Sequence, residues 1–327
     1  MRVLVTGGAG FIGSNFIRYM LTTYNEYKII NLDCLNYAGN LENLTEIAKN
    51  KNYKFIKGDI RDFKLVSKII KDVDIVVNFA AQTHVDRSIS GAKDFIETNI
   101  NGVFTLLEAS RGANLKLFIQ ISTDEVYGST LEGSFVETDT LLPSSPYSAS
   151  KAASDVLCNS YALTYNVPVV ITRCTNNFGP YQYPEKVIPL FITNILENKK
   201  VPLYGDGLNV RDWIYVLDHV RAVDFLMHKA KVGEIYNVSS DNEVTNIELT
   251  KIILKKFGLD EAGIEYVKDR PAHDRRYSLD STKLRNLGWK PVYDFSTSLD
   301  ATIDWYKENT KWWKKIKPSI NHRASAR

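Results

Sequence analysis

The chain has 327 residues, 44% hydrophobic and 24% charged, a composition that fits one large globular domain with a smaller one attached. Its net charge of +3 hides an asymmetry: six of the 41 basic residues lie from Lys311 onward, where there is no acid, leaving 35 basic against 38 acidic groups before it. A body with a net charge of −3 excludes the basic face of a nucleic-acid binder, and the basic end, 314–327, reads as a solvated tail.

In chain order, RVLVT (2–6), YKIINL (27–32), YKFIKG (53–58), DIVVNFA (74–80) and KLFIQIS (116–122) read as buried strands, with VPVVITR (167–173) as a sixth. Helix-length stretches lie between them at 12–24, 62–71, 90–113 and 146–166. That alternation predicts an α/β fold: a Rossmann-type, doubly wound parallel sheet over about 1–175. Beyond 176 the elements shorten and mix, which predicts a smaller C-terminal substrate-binding domain, with 212–240 returning a strand–helix–strand unit to the main sheet. The cysteines, Cys34, Cys158 and Cys174, are odd in number and lack metal spacing. They point to a reducing, cytoplasmic location, and no metal is expected. Met1 runs almost directly into the first strand, so no signal peptide is expected, and no apolar run is long enough to span a membrane.

Between the first strand and first helix lies GGAGFIG, with Gly7, Gly10 and Gly13 in a G-x-x-G-x-x-G pattern. Glycine permits the tight turn and lets backbone approach a pyrophosphate at the helix N-terminus. Asp33 ends the second strand, where a carboxylate accepts hydrogen bonds from ribose hydroxyls and repels a 2′-phosphate. With Cys34 next rather than an arginine, the cofactor is expected to be NAD. Asp59, after the third strand, fits either an adenine contact or a helix cap. Ser144-Ser145-Pro146 reads as a helix start, placing Tyr147 and Lys151 one turn apart on one face. A neighbouring ammonium lowers a phenol's pKa, so Tyr147 is a candidate base for a sugar hydroxyl. Past the fifth strand, STDEVYG (122–128) sets Asp124 and Glu125 side by side at the carboxyl end of the sheet.

On the glycine loop and the Tyr147–Lys151 pair, the chain resembles the extended short-chain dehydrogenase/reductase superfamily from Met1 to about Trp313. The resemblance narrows to the nucleoside-diphosphate-glucose 4,6-dehydratases, most closely those acting on dTDP-glucose, on NYAGNLENL (36–44), THVDRSI (83–89), SPYSASKAASD (145–155), TNNFGPYQYPEKVIP (175–189), YGDGLNVRDWIYVLDH (204–219) and DRPAHDRRY (269–277). It implies NAD-dependent oxidation at C4, loss of water across C5 and C6, and hydride return to C6. Thr123 would hold the reacting hydroxyl, Tyr147 would act as base with Lys151, Glu125 would take the C5 proton, and Asp124 would protonate the departing C6 hydroxyl.

By the same resemblance, Phe11, Ile12, Asn36, Ile60, Ala80, Ala81, Thr98 and Asn177 join the glycines, Asp33 and Asp59 around NAD. A diphosphate calls for arginine forks, for which Arg211 and Arg270, with His273, are the candidates. His84, Asn176, Lys186, Val187, Asn237, Pro202 and Tyr204 complete the nucleotide-sugar site by resemblance. Arg275 and Arg276 fit surface ion pairs as well as ligand contacts.

Where dTDP-specific members commonly read Ala-Ala-Glu-Ser-His, this chain reads Ala80-Ala81-Gln82-Thr83-His84, a form shared with relatives using UDP-glucose. Thymine and uracil differ by one methyl group, so a UDP-glucose dehydratase stays open. A UDP-sugar 4-epimerase or decarboxylase has no need of an acid that expels a hydroxyl. A non-catalytic NAD-binding regulator has no need of Tyr147, Lys151 and both acids. Apolar positions on more than one side of 90–113 and 146–166 point to a homodimer. Neither nucleic acid nor a membrane is expected as a partner.

Overall fold

The computed structural model describes residues 1–317. Strands β1 (Arg2–Thr6), β2 (Lys28–Asp33), β3 (Tyr53–Lys57), β4 (Ile75–Asn78), β5 (Leu117–Thr123) and β6 (Val169–Cys174) fall within two residues of the predicted positions. The later strands are β7 (Asn176–Phe178), β8 (Val201–Tyr204), β9 (Val210–Tyr215), β10 (Ile235–Val238), β11 (Glu243–Thr245) and β12 (Ile264–Val267). Among the described residues, seven strands form one sheet in the order β10-β6-β5-β4-β1-β2-β3, every neighbouring pair parallel. This is the doubly wound topology, and its order reverses between β1 and β4, where a crevice opens at the strands' carboxyl ends. β4, β5 and β6 are buried along their whole length, the pattern of strands covered by helices on both faces.

Of the 212–240 stretch only β10 joins this sheet. β9 instead pairs with β7 and β11 in a second sheet, and β8 pairs with β12 in a third. β9 carries Arg211, and the chain after β12 carries Arg270.

Two helical features position the site. The Pro146–Tyr165 helix begins with a reciprocal cap between Ser145 and Ser148 and with proline in its first turn, which fixes where Tyr147 emerges. One turn beyond Lys151, Asp155 accepts from Arg173 of β6 at 2.9 Å, an ion pair with almost no exposure that ties helix to sheet. Between Lys93–Phe95 and Val103–Arg111 the helix widens into a π-helical stretch, Ile96–Gly102. There the Asn99 amide brackets the Gln82 backbone, accepting from its N–H at 2.8 Å and donating to its carbonyl at 3.0 Å, while also donating to Ser150. The loop after β4 is thereby fixed to the helix that carries Tyr147.

The sequence from Lys314 does not begin a solvated tail. Lys314–Ile316 end a helix, Thr310–Ile316, and Lys317 is 2% exposed, donating to Asn194 and Glu197. The remainder of the basic stretch lies outside the described residues. Among the described residues no helix is long and apolar enough to cross a membrane.

Candidate active site

The crevice begins at the glycine loop. Gly7 has a left-handed backbone (φ +66°), and a side chain there would meet the Ala80 backbone at 2.7 Å. At Gly13 a Cβ would lie 2.5 Å from the Gly7 carbonyl, so glycine is what lets the helix start against the loop. That helix, Phe11–Thr23, has no side-chain cap, leaving its first N–H groups open toward the cavity for an anion. Asp33 is locked in place: one carboxylate oxygen accepts from Ala9 N–H at 2.9 Å and the other from Leu35 N–H at 2.8 Å. Burial pushes its pKa up against those two bonds. Loop, helix terminus and oriented carboxylate fit a dinucleotide without a 2′-phosphate. Asp59 also lines the cavity but is clasped by Arg61, which lowers its pKa, and the following helix is capped by Asp62 instead.

β5 ends at Thr123, and a single 3-10 turn, Asp124–Val126, follows. The turn changes what adjacent residues can do. On a strand Asp124 and Glu125 would face opposite ways; on the turn both line the same cavity as Tyr147, Lys151 and the glycine loop. Thr123 starts the turn, its Oγ1 accepting from Glu125 N–H at 3.3 Å and donating to Asp124 Oδ1 at 3.0 Å. Tyr147 shares a hydrogen bond with the same hydroxyl, so phenol, threonine and Asp124 form one chain.

The two acids differ in their surroundings. Burial, and next the charge of Glu125, push Asp124 up to about 8, and its Oδ2 has no hydrogen-bond partner among the described residues. Glu125 is also raised by burial, but Arg270, Lys186 and Arg211 act against that rise. At neutral pH the arrangement therefore holds a proton on Asp124, while at Glu125 three cations oppose the effect of burial. The Tyr147–Lys151 pair departs from expectation. Burial and the carboxyls of Glu125 and Asp124 hold the phenol well above its usual range. The Lys151 ammonium donates to the Ile121 carbonyl at 2.6 Å, with its own pKa lowered by burial, and does not offset those charges.

Of the expected cofactor contacts, Gly7, Gly10, Phe11, Ile12, Gly13, Asp33, Asn36, Asp59, Ile60, Ala80, Ala81, Thr98 and Asn177 all line this cavity, as do Thr123, Asn176 and Lys186. His84, Val187, Pro202, Tyr204, Arg211, Arg270 and His273 stand outside its wall. Arg211 is 5% exposed over the Tyr277 ring at 4.1 Å, and Arg270 lies 3.5 Å from Asp86, with its Nε unpartnered. Both act on Glu125 through charge. His84, among Lys186, Arg87 and Arg270, is driven down to about 2 by burial and those charges, and is neutral. The His273 Nδ1–H donates to Asp269 Oδ1 at 2.6 Å.

Asn237 is fully enclosed outside that wall, accepting from Tyr127 and donating to the Phe135 and Asp280 carbonyls. Arg275 and Arg276 pair with Asp206 and Glu243 at the surface.

Thr83 lines the cavity, as do residues that the sequence did not single out, among them Tyr37, Asn43, Tyr181, Gln182, Glu185 and Trp312. Glu185 anchors Arg87 at 2.7 Å, and Arg87 covers the Tyr37 ring at 3.9 Å. Glu185 precedes Lys186 inside a quoted motif, a signal that was available; Asn43 and Trp312 meet only through the fold.

A family model for GDP-mannose 4,6 dehydratase matches residues 4–302. The low-salt glycan biosynthesis protein Agl12 of Haloferax volcanii is 50% identical over 94% of this chain and 98% of its own length. The dTDP-glucose 4,6-dehydratase of Streptomyces niveus is 48% identical over 97% of this chain and 96% of its own. The crystal structure of DesIV, a dTDP-glucose 4,6-dehydratase from Streptomyces venezuelae solved with NAD bound, superposes with a TM-score of 0.95 at 48% identity, covering 97% of this chain and all of that one. On matches of this length and identity, the chain belongs to the GDP-mannose 4,6 dehydratase family, among relatives that include the dTDP-glucose 4,6-dehydratases.

Proposed function

We propose that the protein is an NAD-dependent hydro-lyase converting dTDP-glucose to dTDP-4-keto-6-deoxyglucose. The observation that carries this reading is the pair of acids on one turn, one holding its proton and one surrounded by cations, in the cavity that the glycine loop opens. Relatives at 48% identity named for this reaction, one solved with NAD, support it.

Bound NAD supplies a hydride acceptor and a cationic ring to a pocket otherwise rich in carboxyls. That cationic ring would offset the Glu125 and Asp124 charges that hold Tyr147 protonated, and the phenolate, oriented by Thr123, would take the proton from the C4 hydroxyl. The ketone formed at C4 acidifies the C5 proton, which Glu125 removes. Asp124 protonates the C6 hydroxyl so that it leaves as water, and Glu125 returns its proton to C5 once hydride has been delivered to C6. Proton count closes within the site: Tyr147 gains one, Asp124 loses one, and the Thr123 hydroxyl connects them. Lys186 in the cavity wall, with Arg211 and Arg270 outside it, would hold the substrate's diphosphate, and all three act against the rise in the Glu125 pKa.

The protein is further proposed to be a cytoplasmic homodimer. Its three cysteines are free, which supports a reducing compartment. Val156 and Leu163, seven residues apart on the Pro146–Tyr165 helix, are 59% and 85% exposed, and Ile96 and Phe104 on the neighbouring helix are 48% and 46% exposed. A second copy packing helix against helix would cover them.

Incubated without added cofactor, the protein is expected to convert dTDP-glucose to its 4-keto-6-deoxy product faster than UDP-glucose; faster turnover of UDP-glucose would reassign the nucleobase, and no product from either would end the dehydratase reading. Glu125→Gln should reduce its bound NAD on mixing with substrate yet lose ~10²- to 10⁴-fold in product formation; undiminished turnover would remove Glu125 as base.

Asp124 must carry its proton to act, so dehydration should fall as pH rises through about 8. In Asp124→Asn this limb should vanish along with most of the rate, and a wild-type profile flat across that range would contradict the assignment. Light scattering should give a dimer for the wild type and a monomer for Leu163→Glu, and a monomeric wild type would refute the interface.

A further inference from the structure

The C-terminal helix Thr310–Ile316 reaches the nucleotide loop through side chains that none of the catalytic steps uses. The Trp312 indole N–H donates to Asn43 Oδ1 at 2.9 Å, and the Asn43 amide donates to the Ala9 carbonyl at 2.9 Å. Ala9 N–H in turn donates to Asp33 Oδ2 at 2.9 Å, so one hydrogen-bonded chain runs from the Thr310–Ile316 helix to the carboxylate placed for the ribose. Every member is enclosed: Trp312 is 8% exposed, Asn43 2%, Ala9 0% and Asp33 7%. Trp312 and Ile316 themselves form part of the cavity wall, together with Asn43, Tyr181 and Gln182.

A second arm reaches the same wall. Tyr181 holds a left-handed backbone (φ +68°), a conformation that side-chain-bearing residues disfavour, so its neighbours must hold it there. Trp305 lies 4.6 Å from its ring, Trp312 meets it edge-on at 5.9 Å, and the Arg18 guanidinium covers it at 3.8 Å. Arg18 also donates to the Asn43 carbonyl, which joins the two arms. Next to Tyr181, the Gln182 carbonyl accepts from the Tyr306 hydroxyl, while the Gln182 amide donates to Asn177 of the cavity. The exposed Lys315–Glu42 pair, at 2.7 Å, adds little in water.

We propose that the Thr310–Ile316 helix is a latch on the cofactor: through Trp312 it clamps the Asn43–Ala9 segment over the nucleotide cleft and slows release of NAD. This rests on the reading of the cleft as an NAD site. Trp312 is a positioning residue; it does not touch the reacting atoms, and it was read in the sequence as the approach to a loose tail. A latch suits a reaction in which the reduced cofactor must stay until it has returned its hydride to the same substrate.

The test measures cofactor retention on the full-length protein. Wild type, Trp312→Phe and Trp312→Ala are loaded with radiolabelled NAD, desalted and chased with unlabelled NAD. Loss of the indole hydrogen bond in Trp312→Phe should speed release by ~5-fold, and loss of the ring as well in Trp312→Ala should speed it further. Equal release rates in all three would overturn the latch while leaving the NAD site intact. A wild type that binds no NAD would overturn the reading beneath it. Should Trp312→Ala fail to fold, hydrogen exchange on the wild type decides the matter. The amides of 310–317 should exchange more slowly with NAD bound, and unchanged exchange would refute the proposal.

Discussion

The site depends on where β5 stops. Its seven residues are all buried between β4 and β6, so an Asp-Glu pair continuing that strand would drive one carboxylate into the apolar layer beneath the sheet. Thr123 prevents this by capping a 3-10 turn with its own hydroxyl, and both carboxyls then enter the crevice. The same hydroxyl meets Tyr147, whose emergence is fixed by the Ser145–Ser148 cap and the Asp155–Arg173 pair. A one-residue slip at any of these points would separate the phenol from the acids.

Two identical functional groups are then made different by their neighbours. Asp124 faces Thr123 and Glu125 in a dry pocket and keeps its proton; Glu125 faces Arg270, Lys186 and Arg211, each from a different segment of the chain. Dividing acid and base roles between two carboxyls by environment alone is a general solution for chemistry near neutral pH. The cations that act against the rise in the Glu125 pKa are also those proposed to hold the diphosphate. Substrate binding and base strength are therefore coupled: a phosphate that draws Arg211 or Arg270 away would leave Glu125 a stronger base.

Much of this was legible in the sequence. The parallel sheet followed from six apolar runs spaced by helix-length segments, and the glycine loop, Asp33, the acids and the Tyr147–Lys151 pair all marked strand or helix ends by local signals. What was not legible depended on three-dimensional closure. The shared face of Asp124 and Glu125 required a turn that period-two reasoning would not place. The Tyr147–Lys151 spacing was correct, yet the ammonium's partner is a backbone carbonyl of β5, and the carboxyls dominate the phenol's surroundings. The enclosure of Asn237 among Tyr127, Phe135 and Asp280 is likewise set by the fold rather than by any local pattern. Trp312 and Asn43 lie 269 residues apart, and no local signal joins them.

The central claim is that one enclosed cavity carries a single sugar through oxidation, elimination and reduction without releasing it. The most direct measurement mixes dTDP-glucose deuterated at C4 with unlabelled dTDP-glucose and follows the label in the product by mass spectrometry and NMR. The account predicts that deuterium leaves C4 and appears on C6 of the same molecule, with no label on the partner sugar and hydrogen from the site or solvent at C5. Deuterium shared between the two sugar pools, lost to water or retained at C4 would contradict it.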